Sequence, residues 1–243
     1  MIRTCIGIQA RLSSTRLKGK AFMEIHGKTM VDHILDRVSS SIGWFSRNEK
    51  VYRTFDMCLL VPKSEILEWK CFQANSRHDF WLISGPMGDV FRRYETMVDQ
   101  FNPDYVMRLT ADCPFIPSPL ISKMANIAIK NRFDYMTNTF QEFRTMLDGH
   151  DCEIMSSRCF KWLRKNIDDG DESDREHVTT YLKKNCFDIP WMKLATLTTG
   201  IDMSQFKFSI DTKEEFDEIV EMHEKKMEKD FIAKKKGISV YEF

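Results

Sequence analysis

Side chains suited to binding phosphate are concentrated near the start of the chain. Residues 11 to 20 include four cations and three hydroxyl groups and no acidic residue: Arg11, Ser13, Ser14, Thr15, Arg16, Lys18 and Lys20. The forked N–H groups of arginine match phosphate oxygens, lysine adds a compact charge, and hydroxyls complete a cradle. This composition predicts a loop that binds a polyphosphate, with a solvated basic loop as the alternative.

The position of this loop favours the binding role. The preceding residues, Cys5 to Ala10, are a short, mostly apolar run without helical period, which predicts a buried strand of a parallel sheet. Ligands of open α/β sheets bind just beyond the carboxyl ends of the strands. We therefore expect the loop to face the ligand.

One aspartate is a candidate metal ligand from its position alone. Asp112 follows Tyr105 to Leu109, a predicted strand, and it precedes Pro114. Carboxylate oxygens suit Mg²⁺, which takes one or two protein carboxylates together with substrate phosphates. A turn residue before proline is the alternative for Asp112.

Further polar residues border other predicted elements. Asp89 can cap the helix that begins at Val90, after a loop rich in glycine and proline. Arg175 can bind a carboxylate or phosphate through two parallel hydrogen bonds, and His177 can orient that group. A buried structural histidine is the alternative for His177. An alternating run from Lys207, a predicted strand, ends in Asp211, where a helix cap is the alternative.

The remaining pattern alternates strands with helices. Phe55 to Val61 and Phe80 to Ser84 are predicted strands, and a helix with one apolar face follows the turn at Gly27. Gly27-Lys28-Thr29 does not complete a P-loop, because Phe22 stands where that motif needs its first glycine. Strand, loop and helix in this order predict a wound α/β sheet.

Composition excludes several classes. The chain has 243 residues, with 36 Lys and Arg against 36 Asp and Glu, and this zero net charge argues against a nucleic-acid binder. Seven scattered cysteines without a C-x-x-C motif predict free thiols in a reducing compartment. No signal peptide and no apolar run of membrane-spanning length are evident, so we expect a cytoplasmic, soluble protein that does not bind a membrane.

The opening segment resembles the N-terminal signature of the sugar-activating cytidylyltransferases. It is similar to the loop of CMP-KDO synthetases, and closer to that of the SpsF-like group of spore-coat polysaccharide proteins, which often has Gln-Ala-Arg there. Lys18 replaces the proline of the family. Five further segments resemble family motifs in the same order: residues 85–94, 108–114, 146–153, 175–181 and 207–212.

This resemblance implies a fold and a reaction. The fold is a three-layer α/β/α, Rossmann-like, GT-A-like sandwich with a mainly parallel sheet. Residues 1–223 would be a single nucleotidyltransferase domain with a small acceptor and dimerisation lobe at about 138–197, followed by a charged tail at 224–243. The reaction is transfer of CMP from CTP to an acidic sugar or a phosphorylated acceptor with release of pyrophosphate. A homodimer, Mg²⁺ and a role in surface polysaccharide or capsule synthesis are expected.

The resemblance also assigns roles to residues by position. Asp112 and Asp211 are the metal ligands, and Arg11 and Lys20 join them as catalytic residues. The nucleotide-binding residues are Ala10, Arg11, Ser13, Ser14, Arg16, Lys20, Asp89, Arg93, Thr110 and Asp112. The acceptor-binding residues are Asn138, Asp148, Asp151, Glu153, Arg175 and His177.

Three other functions stay open from the sequence. The acceptor could be a small phosphorylated molecule, such as a phospho-amino acid or a polyol phosphate, instead of an acidic sugar. A GT-A glycosyltransferase shares the sheet, the nucleotide and the metal but would bind a nucleotide-sugar. A non-catalytic module of polysaccharide assembly would keep the fold, while Asp112 and Asp211 would not converge.

Overall fold

The computed structural model describes residues 1–48, 53–168 and 171–224. Most of the tail expected at 224–243 therefore lies outside the described residues. The helices are α1 (Met30–Asn48), α2 (Ile66–Asn75), α3 (Val90–Phe101), α4 (Ser118–Asn131), α5 (Ser157–Asn166), α6 (Glu172–His177), α7 (Thr180–Asn185) and α8 (Lys213–Glu224). The strands are β1 (Ile2–Gln9), β2 (Glu24–Ile25), β3 (Lys28–Thr29), β4 (Arg53–Pro62), β5 (Trp81–Gly85), β6 (Tyr105–Thr110), β7 (Tyr135–Thr137), β8 (Glu153–Ser156) and β9 (Leu194–Thr196).

A mainly parallel sheet of seven strands forms the centre of the molecule, in the order β5-β4-β1-β6-β8-β7-β9. β1 pairs in parallel with both β4 and β6, and β4 pairs in parallel with β5. β8 runs antiparallel to both of its neighbours, β6 and β7, whereas β7 and β9 are parallel. The carboxyl ends of β1, β4 and β6 therefore meet at one edge of the sheet, where the sequence places its candidate ligands.

Helices cover both faces of this sheet, which confirms the three-layer prediction. Alternate residues of β1 point to opposite faces: Ile6 and Ile8 pack in one core with α1 and α4, whereas Cys5 packs in the other with α3 and α5. Gly7 lets α3 approach closely, because a Cβ there would lie 2.5 Å from a ring carbon of Tyr94. The Tyr94 hydroxyl donates to the Gly7 carbonyl at 3.0 Å and fixes this contact.

Two predicted features of the later chain differ in the structure. The segment from Lys207 to Thr212 is not a strand, and its pairing is an isolated bridge between Lys207 and Asp148. The Ile210 N–H instead donates to the Asp112 carbonyl at 2.9 Å, so the segment lies across the ends of other elements. Glu153–Ser156, which had no predicted strand, forms β8. Residues 138–197 thus contribute two strands to the central sheet.

The described residues also bear on the cysteines and on membranes. All seven cysteines are free, and six of them are buried. Among the described helices, none combines the length and apolarity needed to cross a membrane.

Candidate active site

A cavity of about 370 Å³ opens at the carboxyl ends of β1 and β6. Most of the residues predicted to bind ligands line it: Ala10, Arg11, Ser14, Arg16, Lys20, Arg93, Thr110, Asp112, Asp148, Asp151, His177 and Asp211. Ser13, Asp89, Asn138, Glu153 and Arg175 are not among the lining residues. Gln9, Arg108, Glu176 and Ser209 line the cavity without having been assigned a binding role from the sequence.

The loop predicted to bind phosphate, residues 10–20 and here called the phosphate loop, is held near both ends by backbone hydrogen bonds. At its start the Ala10 N–H donates to the Leu60 carbonyl at 3.0 Å, and near its end the Gly19 N–H donates to the Leu12 carbonyl at 2.7 Å. Gly19 has a φ of 72°, a left-handed conformation that glycine adopts without steric cost. This bend leads the chain into a short 3-10 turn at Lys20–Phe22.

A buried carboxylate supports the same loop from below. Glu65 accepts the backbone N–H groups of Leu12 at 2.8 Å and Ser13 at 2.9 Å, and also contacts the indole N–H of Trp69 at 3.3 Å. Burial raises the pKa of Glu65, but the hydrogen bonds from Leu12 and Ser13 outweigh it, so the pKa is lowered. The carboxylate therefore occupies two backbone amides of the loop.

The Lys20 ammonium joins the two candidate metal ligands. Its Nζ lies 3.3 Å from Asp112 Oδ2 and 2.9 Å from Asp211 Oδ1, and it donates to the Ile210 carbonyl at 2.8 Å. An ammonium has three donors, and these three acceptors match that number. Two carboxylates that are 99 residues apart in the sequence (positions 112 and 211) thus meet at one nitrogen.

Asp211 lies among several cations. Arg16 Nη2 is 3.2 Å from its carboxylate and Lys207 Nζ is 3.3 Å away, in addition to Lys20. Burial raises the pKa of Asp211, but the hydrogen bonds and charges of Lys20 and Lys207 outweigh it and lower the pKa. Glu215 accepts the Asp211 N–H at 2.7 Å, which fixes the backbone that carries the carboxylate.

The donor set at Asp112 and Asp211 fits a hard divalent cation. Both side chains offer carboxylate oxygens, and the described residues contain no cluster of three or more His, Cys, Asp or Glu side chains that could hold a metal. Mg²⁺ typically takes one or two carboxylates and completes its shell with water and substrate phosphates. Two aspartates beside a phosphate loop therefore suit Mg²⁺ better than a metal that needs three or four protein ligands.

Across the mouth of the cavity, α6 faces the loop. Arg11 Nη1 lies 3.1 Å from Glu176 Oε1, and both side chains are partly exposed. The next residue, His177, also lines the cavity. Directly after it, buried Val178 has a φ of 54°, and the Thr179 N–H donates to the His177 carbonyl, which forms a strained γ-turn. This turn ends α6 at the cavity wall.

Two residues assigned to different substrates bind each other instead. Asp89 accepts the Arg92 N–H at 2.8 Å, as predicted for a helix cap, and its other oxygen lies 2.8 Å from Arg175 Nε. Arg175 also contacts Glu95 at 3.3 Å. Asp89 and Arg175 thus fasten α6 to α3, beside the lining residue His177.

Arg93 is buried beneath the loop between β5 and α3. It donates to the carbonyls of Pro86 and Met87 at 2.8 and 2.6 Å. Burial lowers the pKa of Arg93 to about 10. Its guanidinium therefore holds the Gly-Pro loop and also lines the cavity.

An acidic wall, Asp148 and Asp151, borders the cavity. Arg144 bridges the two carboxylates, at 2.6 Å from Asp151 and 3.5 Å from Asp148. Burial raises the pKa of Asp151 despite the charge of Arg144. Gly149 between them has a φ of 108° and lies so close to Phe208 that a Cβ would be 2.5 Å from its carbonyl carbon. Only glycine fits this crossing without displacing one of the two segments.

Glu153 and Asn138 lie behind the cavity. Glu153 is 1% exposed and contacts Arg108, Lys183, Tyr135 and Thr139. Burial raises its pKa, but the charges of Lys183 and Arg108 lower it to about 2. Asn138 bonds the backbone of residues 150 and 152. Arg108, predicted from its motif to support Asp112 together with Thr110, lies on the same face of β6 as Thr110, and both line the cavity.

Comparison with known proteins supplies a family. A family model described as cytidylyltransferase matches residues 5–238. The spore coat polysaccharide biosynthesis protein SpsF of Bacillus subtilis is 25% identical over 219 residues, which are 90% of this chain and 85% of the relative. A solved cytidylyltransferase from Leptospira borgpetersenii is 26% identical, with a TM-score of 0.78 and coverage of 93% of this chain and 88% of that chain.

More distant solved structures share the fold. A CMP:2-keto-3-deoxy-manno-octonic acid synthetase complexed with CTP is 12% identical, with a TM-score of 0.63 and coverage of 92% of this chain and 99% of that chain. A Mycobacterium tuberculosis protein in complex with manganese is also 12% identical, with a TM-score of 0.58 and coverage of 91% and 99%. At these identities the likeness concerns the fold alone.

Proposed function

The chain belongs to the cytidylyltransferase family of enzymes, and on that premise we propose that it transfers CMP from CTP to an acidic sugar or phosphorylated acceptor, with release of pyrophosphate, in surface polysaccharide synthesis. The observation that carries this proposal is the contact of Lys20 with both Asp112 and Asp211, in a cavity that also contains Arg11 and Arg16. The CTP complex of a structure with the same fold and the polysaccharide role in the name of SpsF support it.

In the proposed reaction the chain aligns substrates and neutralises charge. Arg11, Arg16 and Lys20 bind the triphosphate and stabilise the charge that develops on pyrophosphate as it leaves. Ser14 and Thr110 add hydroxyl groups at the cavity wall. Enzymes of this family typically use a divalent metal, and here Asp112 and Asp211 would hold Mg²⁺. When bound, that cation would neutralise phosphate charge and favour the ionised form of an attacking oxygen.

The acceptor binds, in this proposal, beside the acidic wall. The carboxylates of Asp148 and Asp151 can accept hydrogen bonds from sugar hydroxyls or an amine, while His177 borders the other side. An acidic sugar of the nonulosonic type is the first candidate, and a polyol phosphate or phospho-amino acid is the second. Membership of the cytidylyltransferase family supports neither glycosyl transfer nor a non-catalytic role.

A pyrophosphate-release screen tests the reaction. The purified protein would be incubated with each nucleoside triphosphate, Mg²⁺ and each candidate acceptor, with Asp112→Asn as the inactive control. Release that requires CTP and one acceptor together supports the proposal. Release from a nucleotide-sugar without pyrophosphate formation would instead indicate glycosyl transfer.

Nucleotide choice is tested independently of the acceptor. We predict that CTP with Mg²⁺ raises the melting temperature more than ATP or GTP does, because a ligand that binds only the folded state stabilises it. At a hundredfold excess over its dissociation constant, the shift would be roughly 5–10 °C for a chain of this length. Equal shifts with all three nucleotides would remove the cytidine assignment.

The homodimer, the cytoplasmic location and the single domain over residues 1–223 also belong to this proposal. Size-exclusion chromatography with light scattering tests the dimer, and limited proteolysis tests the domain boundary. A monomer at working concentration would contradict the dimer, and early cleavage within residues 138–197 would contradict the single domain.

A further inference from the structure

Behind the cavity, the buried carboxylate of Glu153 lies between two cations, Arg108 and Lys183, so the positive charges of this cluster outnumber the negative ones. Glu153 Oε1 lies 3.1 Å from Arg108 Nη1 and 3.0 Å from Lys183 Nζ, so one carboxylate faces two cations. Tyr135 donates to the other oxygen of Glu153 at 2.8 Å, and the Thr139 hydroxyl lies 3.3 Å from Oε1. The carboxylate is therefore fully hydrogen-bonded, while the cluster keeps a net charge of about +1 at neutral pH.

Arg108 is the cation of this cluster that lines the cavity. Its side chain is 13% exposed and lines the cavity, whereas Lys183 does not. Within the described part of the chain, its hydrogen bonds run from Nε to Gln9 Oε1 at 3.1 Å and from Nη1 to Glu153, which uses two of five N–H donors. Both partners hold the guanidinium in a fixed orientation on the cavity floor.

The N–H donors of Arg108 on the cavity floor are suited to bind an oxyanion. Gln9 and Glu153 leave N–H donors of Arg108 unused, and a carboxylate or phosphate ligand in the cavity would accept hydrogen bonds from them. The planar fork of arginine matches either group with two parallel hydrogen bonds. The acidic wall, Asp148 and Asp151, repels an anion, so an acidic ligand would place its hydroxyls there and its oxyanion on the floor.

We propose that Arg108 binds a carboxylate or phosphate group of the acceptor, and so selects anionic acceptors. This inference rests on the proposed cytidylyl transfer. The acceptor is favoured over the nucleotide because the phosphate loop already provides three cations to the cavity, Arg11, Arg16 and Lys20.

The structure offers a matched pair of variants. Arg108→Met and Lys183→Met each remove one cation from Glu153 and leave it paired with the other, so both variants keep a neutral buried pair. Only Arg108→Met removes a donor from the cavity. Arg108→Lys, which keeps the charge and loses the fork, is a third variant with less disturbance of folding. Circular dichroism and thermal unfolding confirm that each variant is folded.

Calorimetric titration provides the test. Each protein is first saturated with a CTP analogue that has a methylene bridge between its α- and β-phosphates, in the presence of Mg²⁺. Glucuronate is then compared with glucose, and glycerol 3-phosphate with glycerol. We expect wild type and Lys183→Met to bind at least one anion about tenfold or more tightly than its neutral partner. Arg108→Met loses this preference, and Arg108→Lys keeps a weakened one. The preferred probe distinguishes carboxylate from phosphate.

Several results would overturn the assignment. One is that wild type binds no anionic probe more tightly than its neutral partner. Another is that Arg108→Met keeps the full preference for the anionic probe. A third is that Lys183→Met loses this preference as completely as Arg108→Met, which would indicate a general electrostatic effect instead of a direct contact. Weaker binding of the CTP analogue to Arg108→Met, with the anion preference intact, would assign Arg108 to the nucleotide. If wild type binds the analogue but prefers no anion, only this inference fails. If wild type does not bind the analogue, the proposed function fails with it.

Discussion

Replacing Asp112 by asparagine should abolish turnover while leaving the free energy of unfolding nearly unchanged. The substitution keeps the size of the side chain and removes its charge. Lys20 keeps two of its three acceptors, Asp211 at 2.9 Å and the Ile210 carbonyl at 2.8 Å, and loses only the carboxylate at 3.3 Å. The Ile210 N–H still donates to the backbone of residue 112. We therefore expect Asp112→Asn to keep the wild-type fold.

The structure sets the expected magnitudes. The Asp112 side chain is 34% exposed, so its ion pair is well screened and contributes less than about 1 kcal/mol to the free energy of unfolding. For a chain of this length that loss lowers the melting temperature by less than about 4 °C. Loss of a group that neutralises charge in the transition state costs about 3–4 kcal/mol, so turnover should fall at least about a thousandfold.

Two measurements on the same preparation check this prediction. Turnover is measured by release of pyrophosphate from CTP with the acceptor found in the screen, and stability by chemical denaturation. Asp217→Asn is the matched control, because Asp217 is an exposed aspartate paired with Lys213 on α8. Near wild-type turnover of Asp112→Asn would refute the metal role. Destabilisation by several kcal/mol would refute the reasoning about Lys20.

Two other substitutions extend the test. Asp211→Asn should cost about 2 kcal/mol of stability at pH 7, because this better buried carboxylate, 19% exposed, loses its charge-assisted bond to Lys20. Because the pKa of Asp211 is lowered in the folded state, its carboxylate stabilises the fold above about pH 4, and this stabilisation is lost as the pH falls through the folded pKa. Urea denaturation should therefore show that the stability difference between wild type and Asp211→Asn becomes smaller in acid. Glu65→Gln places an amide against the N–H groups of the phosphate loop, so KM for CTP should rise about tenfold, whereas the exposed control Glu68→Gln should leave it unchanged. An unchanged KM for Glu65→Gln would show that the loop does not depend on this carboxylate.

Much of the scaffold follows from local patterns. The apolar runs at the start of the chain and before Asp112 predict β1 and β6, and the structure places both in the centre of the sheet. The cations and hydroxyls after β1 predict a phosphate-binding loop, and most of these side chains line the cavity. Asp89 caps α3 as its position before Val90 predicts. These features depend on neighbours within a few residues, which is the range that periodicity and capping rules describe.

Predictions fail where a short segment is fixed by distant contacts. The alternation from Lys207 predicts a strand, but its amides bond the carbonyls of Asp112 and Asp148 instead of a neighbouring strand. β8 is only four residues long and stands in an acidic motif, so its pattern does not distinguish it from a turn. Ser13 belongs to the signature of the loop, yet its amide is bound to Glu65 and it does not line the cavity.

Local sequence patterns were enough to predict the alternation of strands and helices in the first half of the chain, the family, and the loop that carries the cations. The pairing of charges became visible in the folded chain alone: Lys20 with two carboxylates, Asp89 with Arg175, and Glu153 with Arg108 and Lys183. The physical reason is the range of the interactions. Hydrophobic periodicity and capping act between near neighbours, whereas the partner and the burial of a charge depend on which segments the sheet brings together.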